Sequence, residues 1–477
     1  MQILSVVSEC APLVKTGGLA DVAGALPGAL APLGVRMRTL LPAYPGLAAR
    51  LSRPRAHAWS TPFGPVRLLE GEAEGLDLIL IESPLYDRAG GGPYTGPDRR
   101  DWPDNHLRFG LLSWLGAGVA AWGLDGWTAD VVHAHDWQAG LAPTYLRLLG
   151  PEAPRAVLTI HNIAYQGVFG REALGALTLP EAMFTPEHVE FHGLVGFLKA
   201  GLAHAERITT VSPTYARELL TPAFGWGLDG LLRHRAGDLE GILNGIDTGV
   251  WDPASDPNLA ANYERPKQKA PNRAAVCERF GVAPAEGAPL FCVVSRMTRQ
   301  KGLDLLIEAL PALLEEGAAL AVIGSGDEDL EQAYRAAAQA HPGRVGVEIG
   351  YDEPASHLLQ AGADAILIPS RFEPCGLTQL IGLRYGTAPV VARTGGLADT
   401  VVDANAAALR TGVATGFVHA PDDVGDLAEA IRRTCAVHRD PKAWGKLTRN
   451  AMAQPVGWDE SAQRYAALYR RLAPAAA

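Results

Sequence analysis

Short runs of β-branched and aliphatic residues alternate from end to end with longer Ala- and Leu-rich stretches whose apolar positions recur at helical spacing. A strand buried on both faces reads as a continuous apolar run, so this alternation predicts parallel sheets covered by helices. In the first half the strand runs fall at 3–8, 36–41, 78–81, 131–135, 157–161 and 208–211. In the second half they fall at 290–295, 319–323, 345–349, 365–368, 389–392 and 416–418. The stretch 252–289 between them is rich in Pro, Ala and charge, and it predicts a connector with one short helix and a hinge just before it. The expected fold is α/β, with two Rossmann-like, doubly wound halves. Such sheets bind ligands beyond the carboxyl ends of their strands, so two halves facing one another would share a deep cleft.

Bulk properties narrow the partners. A chain of 477 residues, 48% hydrophobic and 20% charged, is long enough for two cores. Its formal net charge of −10 provides no broad basic face for nucleic acid, so an anionic ligand must meet a local cationic pocket. The uncharged stretch 109–124 is shorter than the ~20 residues a membrane span needs and reads as a buried helix. The first residues enter a strand directly, without the regions of a signal peptide. Cys10, Cys277, Cys292, Cys375 and Cys435 are scattered, which suits reduced thiols better than a disulfide framework. A cytoplasmic protein with no membrane partner is expected.

Three segments at strand ends carry candidate chemistry. Lys15 to Asp21 follows the first strand run and precedes a helical one, so its glycine amides and Lys15 are placed to meet an anion. The same segment also suits a plain strand-to-helix turn. Its Thr-Gly-Gly-Leu-Ala-Asp core recurs at 394–399, which raises the prospect of one ligand handled from both halves. Arg296 and Lys301 stand after the 290–295 run and can neutralise a departing diphosphate, or lie solvated in a loop. Glu373 stands just before a helix beginning near Gly376, where a carboxylate can face a positive transition state or simply complement the helix dipole.

Other signals compete. His133 and His135 share one strand face, a spacing used by some metallohydrolases, but Trp137 and Gln138 add no ligands. His161 and Asn162 end the next strand and are polar where a cleft would need hydrogen bonds to sugar hydroxyls, although a satisfied core histidine is the commoner outcome. Asp327, Glu328 and Asp329 resemble a metal-binding acidic pair, yet capping and dipole complementation explain them at a helix start. Cys375 lacks a neighbouring histidine and reads as a small buried hydrophobe rather than a nucleophile.

Taken together, KTGGLADV, HAHDWQAGL, HNIAYQG, FLKAG, VSPTYARE, LNGIDTGVWDP, SRMTRQKGLDL, IGYDE, PSRFEPCGLTQL and RTGGLADTV closely resemble bacterial glycogen synthases and plant starch synthases. The likeness runs nearly end to end. It implies a retaining transferase of GT-B architecture, with an N-terminal domain at 1–243, a nucleotide-sugar domain at 244–456 and a helix at 457–477 crossing back. It implies that Lys15 and Gly18 meet the donor phosphates, that Arg296 and Lys301 bind the diphosphate, and that Glu373 is the key acid beside the transferred glucose. Asp21, Asp136, His161, Asn162 and Asn244 would line the sugar site, with His161 in the catalytic set. Around Cys375, the backbone of Gly376, Leu377 and Thr378 would add amides, and Tyr351 would pack on the adenine. The implied reaction takes glucose from ADP-glucose to the nonreducing 4-hydroxyl of an α-1,4-glucan, without metal or other cofactor. Gln138 departs from a histidine common in relatives, and 94–105 is an atypical, charged version of a loop that usually contributes contacts. Three alternatives stay open: a UDP- or GDP-sugar transferase of the same fold, a metallohydrolase built on His133 and His135, and a noncatalytic sugar-nucleotide sensor.

Overall fold

A computed structural model describes residues 1–98 and 100–473. The chain forms two compact units, Met1–Asn244 together with Trp458–Ala477, and Gly245–Gly457.

In the first unit, strand Gln2–Val6 pairs in parallel with Arg36–Pro42 on one side and Val131–His135 on the other. Beyond Val131–His135 the sheet continues through Arg155–Ile160, Arg207–Thr210 and Leu239–Gly241. On the other side come Leu76–Glu82, Gly64–Ala73 and Ser52–Thr61. The winding therefore reverses at Gln2–Val6, and a crevice opens beyond the carboxyl ends of this strand and Val131–His135.

The last two strands on that side run antiparallel, an extension that the apolar pattern did not reveal. Ser52–Thr61 is exposed along most of its length and carries Arg53, Pro54 and Arg55. Those are features of an outermost strand protected against pairing with another chain, and they erase the apolar run that marks an inner strand. Leu239–Gly241 was also missed, at three residues too short to show a period.

Helix Asn105–Trp122 starts four residues before the expected buried stretch and is buried over most of its length. Among the described residues no helix is long and apolar enough to cross a membrane. Helix Asp459–Leu472 closes the first unit. Trp458, Tyr465, Tyr469 and Leu472 share one cluster with Ile3, Val22, Leu26, Val131 and Val157, so the end of the chain completes the core its beginning starts.

The second unit is a six-stranded parallel sheet, in the order Val345–Ile349, Ala319–Gly324, Leu290–Val294, Ala365–Ile368, Ala388–Ala392 and Phe417–His419. Side chains alternate across it as strand geometry requires. Phe291 and Val293 pack with Leu306 and Leu310 on one face, whereas Leu290 and Cys292 meet Val276 and Leu359 on the other. The connector helix is Ala270–Phe280. Here the winding reverses between Leu290–Val294 and Ala365–Ile368, and those two strands end in Ser295–Arg296 and in the loop that bears Glu373.

Candidate active site

At the first crevice, the amides of Thr16 and Gly17 do not wait for a ligand. Both donate to Oε2 of Glu9, at 2.5 and 3.1 Å. Oε1 of the same carboxylate accepts the Tyr94 hydroxyl at 2.8 Å, and that hydroxyl also lies 2.8 Å from Ser8 Oγ. Burial raises the Glu9 carboxyl above its ordinary range, although Tyr94 and the two amides pull the other way. Helix Gly18–Leu30 starts at Gly17 with no side-chain cap, so Glu9 supplies the negative charge its N-terminus favours. The expectation that this loop's amides meet an anion is corrected for Thr16 and Gly17, whose N–H groups are taken by Glu9. Lys15 is exposed and pairs with Asp21 at 2.7 Å. Glu9 was missed in the sequence, where an acid directly after the first apolar run was the only available signal.

The neighbouring strand ends hold a buried polar row. His135 Nδ1 meets His161 Nε2 at 2.9 Å, and its Nε2 lies 3.3 Å from Ser5 Oγ. Both nitrogens of His133 are engaged as well, by Thr159 Oγ1 at 2.6 Å and by Tyr469 at 2.7 Å. The two rings whose spacing suggested a metal pair thus each hydrogen-bond other partners, and they lie tilted by 34° with centroids 4.0 Å apart. Burial pushes His133 and His161 down to about 3 and holds His135 well below the ordinary imidazole range, so all three are neutral imidazoles at pH 7. Asp136 follows at φ 54°, a left-handed conformation that a non-glycine residue adopts at a cost. Its Oδ1 accepts the amides of His161 at 2.7 Å and Asn162 at 3.4 Å, while burial pushes its carboxyl up to about 7. Asn244 is buried, and its Oδ1 has no hydrogen-bond partner among the described residues, an arrangement suited to a ligand hydroxyl.

In the second unit, Lys301 Nζ lies 2.5 Å from Glu373 Oε2, and the fully buried Ser370 donates its hydroxyl to the same oxygen at 2.9 Å. Leu377 and Thr378 open helix Thr378–Tyr385, whose first amides have no partner within the helix. Glu373, Lys301, Ser370, Gly376 and Thr378 line one cavity. Arg296 is exposed nearby on the loop after Leu290–Val294. Cys375 is buried. Tyr351, which follows strand Val345–Ile349, is 73% exposed.

The repeated Gly-Gly pair serves a different purpose here. At Gly395, φ is +43° and a Cβ would fall 1.9 Å from the Glu373 carbonyl oxygen; the Gly396 amide donates to that oxygen at 3.2 Å. The second copy therefore backs the Glu373 loop. Asp327 precedes helix Glu328–Ala340 but makes no capping bond, contrary to the capping expectation; the Gly326 amide goes to Glu331 instead, at 3.0 Å. The dipole explanation remains. Among the described residues the one cluster with metal-like spacing is His57, Glu70 and Asp125, far from these loops in sequence and already engaged by Arg38 and Arg55.

Two doubly wound units with cationic side chains and a carboxylate at their strand ends define a glycosyltransferase of the GT-B class. A solved sucrose-phosphate synthase from Thermosynechococcus elongatus shares the fold, with a TM-score of 0.62 at 19% identity over 99% of this chain and 98% of that one. Residues 2–234 match the starch synthase catalytic domain family and residues 278–451 match the glycosyl transferases group 1 family. The chain is 58% identical over 478 residues to a glycogen synthase of Roseobacter denitrificans, covering 99% of each. It is 54% identical over 475 residues to one of Paracoccus denitrificans, again covering 99% of each. The catalytic domain of starch synthase IV from Arabidopsis thaliana, solved bound to ADP and acarbose, superposes with a TM-score of 0.88 at 30% identity over 99% of both chains. The chain belongs to the glycogen synthase and starch synthase family of glucosyltransferases.

Proposed function

We propose that this enzyme transfers glucose from ADP-glucose to the nonreducing 4-hydroxyl of an α-1,4-glucan, glycogen or a maltooligosaccharide, with retention of configuration. The observation that carries the reading is the 2.5 Å contact of Lys301 with Glu373 at the switch point of the second sheet. A solved relative that holds both ADP and acarbose supports the pairing of an adenine nucleotide with a glucan-like ligand.

As the glycosidic bond breaks, positive charge grows on the sugar ring and negative charge on the diphosphate. Lys301 has three N–H donors and directs one at Glu373, leaving two for diphosphate oxygens. Arg296, Lys15 and the amides of Gly18, Gly376, Leu377 and Thr378 add donors to the leaving group. Glu373 faces the ring. Neutral His161, Asp136, Asn162, Asn244 and Asp21 hydrogen-bond the sugar, and Tyr351 offers its ring to adenine. Cationic side chains and helix ends take the part that a divalent ion plays elsewhere, so no metal or other cofactor is required.

Glucose incorporation into glycogen, measured in parallel from ADP-glucose and UDP-glucose, tests the donor. Faster turnover with ADP-glucose is expected; equal or better turnover with UDP-glucose would overturn that assignment. Full activity in EDTA is expected, and a loss restored by magnesium or zinc would refute metal independence.

A further inference from the structure

Lys301 and Glu373 belong to different strand-helix units, and neither segment alone sets the 2.5 Å between them. Lys301 ends the turn Arg299–Lys301, ahead of helix Leu303–Glu315. Glu373 lies on the loop after Ala365–Ile368. The Arg371 side chain ties the two segments together at several points. The Arg371 guanidinium donates from Nη1 and Nη2 to the two oxygens of Asp304, at 2.7 and 2.9 Å. Nη1 also reaches the Arg299 carbonyl at 2.7 Å, and Nε reaches Asp422 Oδ1 at 2.7 Å.

Further contacts continue the join. The Arg371 amide donates to the Gln300 carbonyl at 2.9 Å, and Gln300 Nε2 returns a bond to the Phe372 carbonyl at 3.3 Å. Gly302, at φ +66°, approaches so closely that a Cβ would fall 1.9 Å from the Pro369 carbonyl oxygen. Asp304 and Asp422 balance the guanidinium charge, and its planar fork is spent on them and on Arg299.

We propose that Arg371 is a positioning residue of the transfer reaction: it sets the separation of Lys301 and Glu373 by fixing the 299–301 turn against the 370–373 loop. It acts through that pair. The inference rests on the assignment of Lys301 and Glu373 to glucose transfer from ADP-glucose.

The test combines steady-state glucose incorporation with calorimetric ADP binding for wild type, R371A, R371K, D304N and the double variant R371A/K301A. A loosened pair disturbs the transition state more than ground-state affinity, because Arg296 and the helix amides still hold the diphosphate. R371A is therefore expected to lose about 100-fold in kcat, since displacement of reacting groups by ~1 Å costs that much. Its ADP dissociation constant should stay within about 3-fold, the signature of a contribution realised in the transition state. R371K keeps the charge without the fork and should remain at least about 10-fold slow. On the K301A background the further loss should shrink to less than about 3-fold, because coupled sites are not additive.

If R371A does not fold, R371K and D304N decide. A folded variant whose kcat stays within 3-fold of wild type, or losses that multiply fully in the double variant, overturns the positioning role. Wild type without turnover on ADP-glucose overturns instead the reading on which the role rests.

Discussion

The hydroxyl of Tyr469 and Nδ1 of His133 lie 2.7 Å apart although 336 positions separate them, and both side chains are fully buried. Helix Asp459–Leu472 thus reaches strand Val131–His135, which Asp136 follows. Tyr469→Phe keeps the ring in the core and leaves the imidazole nitrogen without its partner, which should cost about 1–3 kcal/mol. A urea unfolding midpoint equal to that of wild type would show that the bond contributes nothing net.

Stability should fall as pH drops below neutrality. His133, His135 and His161 are held neutral by burial, whereas in the unfolded chain they titrate near 6.5. From pH 6.5 toward 3 the unfolded chain gains protons that the folded one refuses, so stability that is complete above 6.5 is lost on acidification. Asp136 opposes this, because its folded carboxyl titrates at about 7 and its unfolded one at 3.8. Between those values it favours the folded state more as pH falls. Three imidazoles outweigh one carboxyl, so the urea midpoint should decline from pH 7 to pH 5. Asp136→Asn should steepen the decline. A midpoint that rises over this interval would contradict the buried, neutral row.

The two Gly-Gly pairs should respond differently to alanine. At Gly17 a Cβ meets nothing within 4 Å and φ is −152°, so Gly17→Ala should cost no more than about 1 kcal/mol as a weaker helix cap. Gly395→Ala drives a methyl into the Glu373 carbonyl from a left-handed backbone, and should destabilise by more than about 2 kcal/mol and abolish turnover. Thermal melts and glucose incorporation on both variants separate the roles; similar behaviour of the two would remove the distinction.

Glu373→Gln keeps size and hydrogen bonding but deletes the charge, and should reduce kcat by about 100-fold or more while ADP still binds. Turnover within a few fold of wild type would mean that the carboxylate charge is not catalytic. Lys301→Ala should lose about 100- to 1000-fold in kcat. It should also destabilise the fold by about 3–5 kcal/mol, because Glu373, with its side chain 8% exposed, is left as a buried unpaired charge. The double variant Lys301→Ala with Glu373→Gln should recover much of that stability, which denaturant titration measures.

Much of the second sheet was legible because each strand is buried on both faces and so reads as an apolar run. Leu290–Val294, Ala319–Gly324 and Ala365–Ile368 all lie within a residue or so of their expected places. Ser52–Thr61 was illegible for the opposite reason, since an exposed edge strand has no buried face to impose a period.

What the sequence alone determined is therefore local: which segments are buried, where strands end, and that Lys15, Arg296, Lys301 and Glu373 stand at such ends. Tertiary structure decided the pairings. Lys301 meets Glu373 across 72 positions because the order of the second sheet places Leu290–Val294 beside Ala365–Ile368. Glu9 claims the amides of Thr16 and Gly17, and Arg371 ties two loops together, through contacts that no local period records. Burial is written residue by residue in the apolar pattern, but the partner of a buried charge is set by which strands become neighbours, and that follows from the packing of the whole sheet.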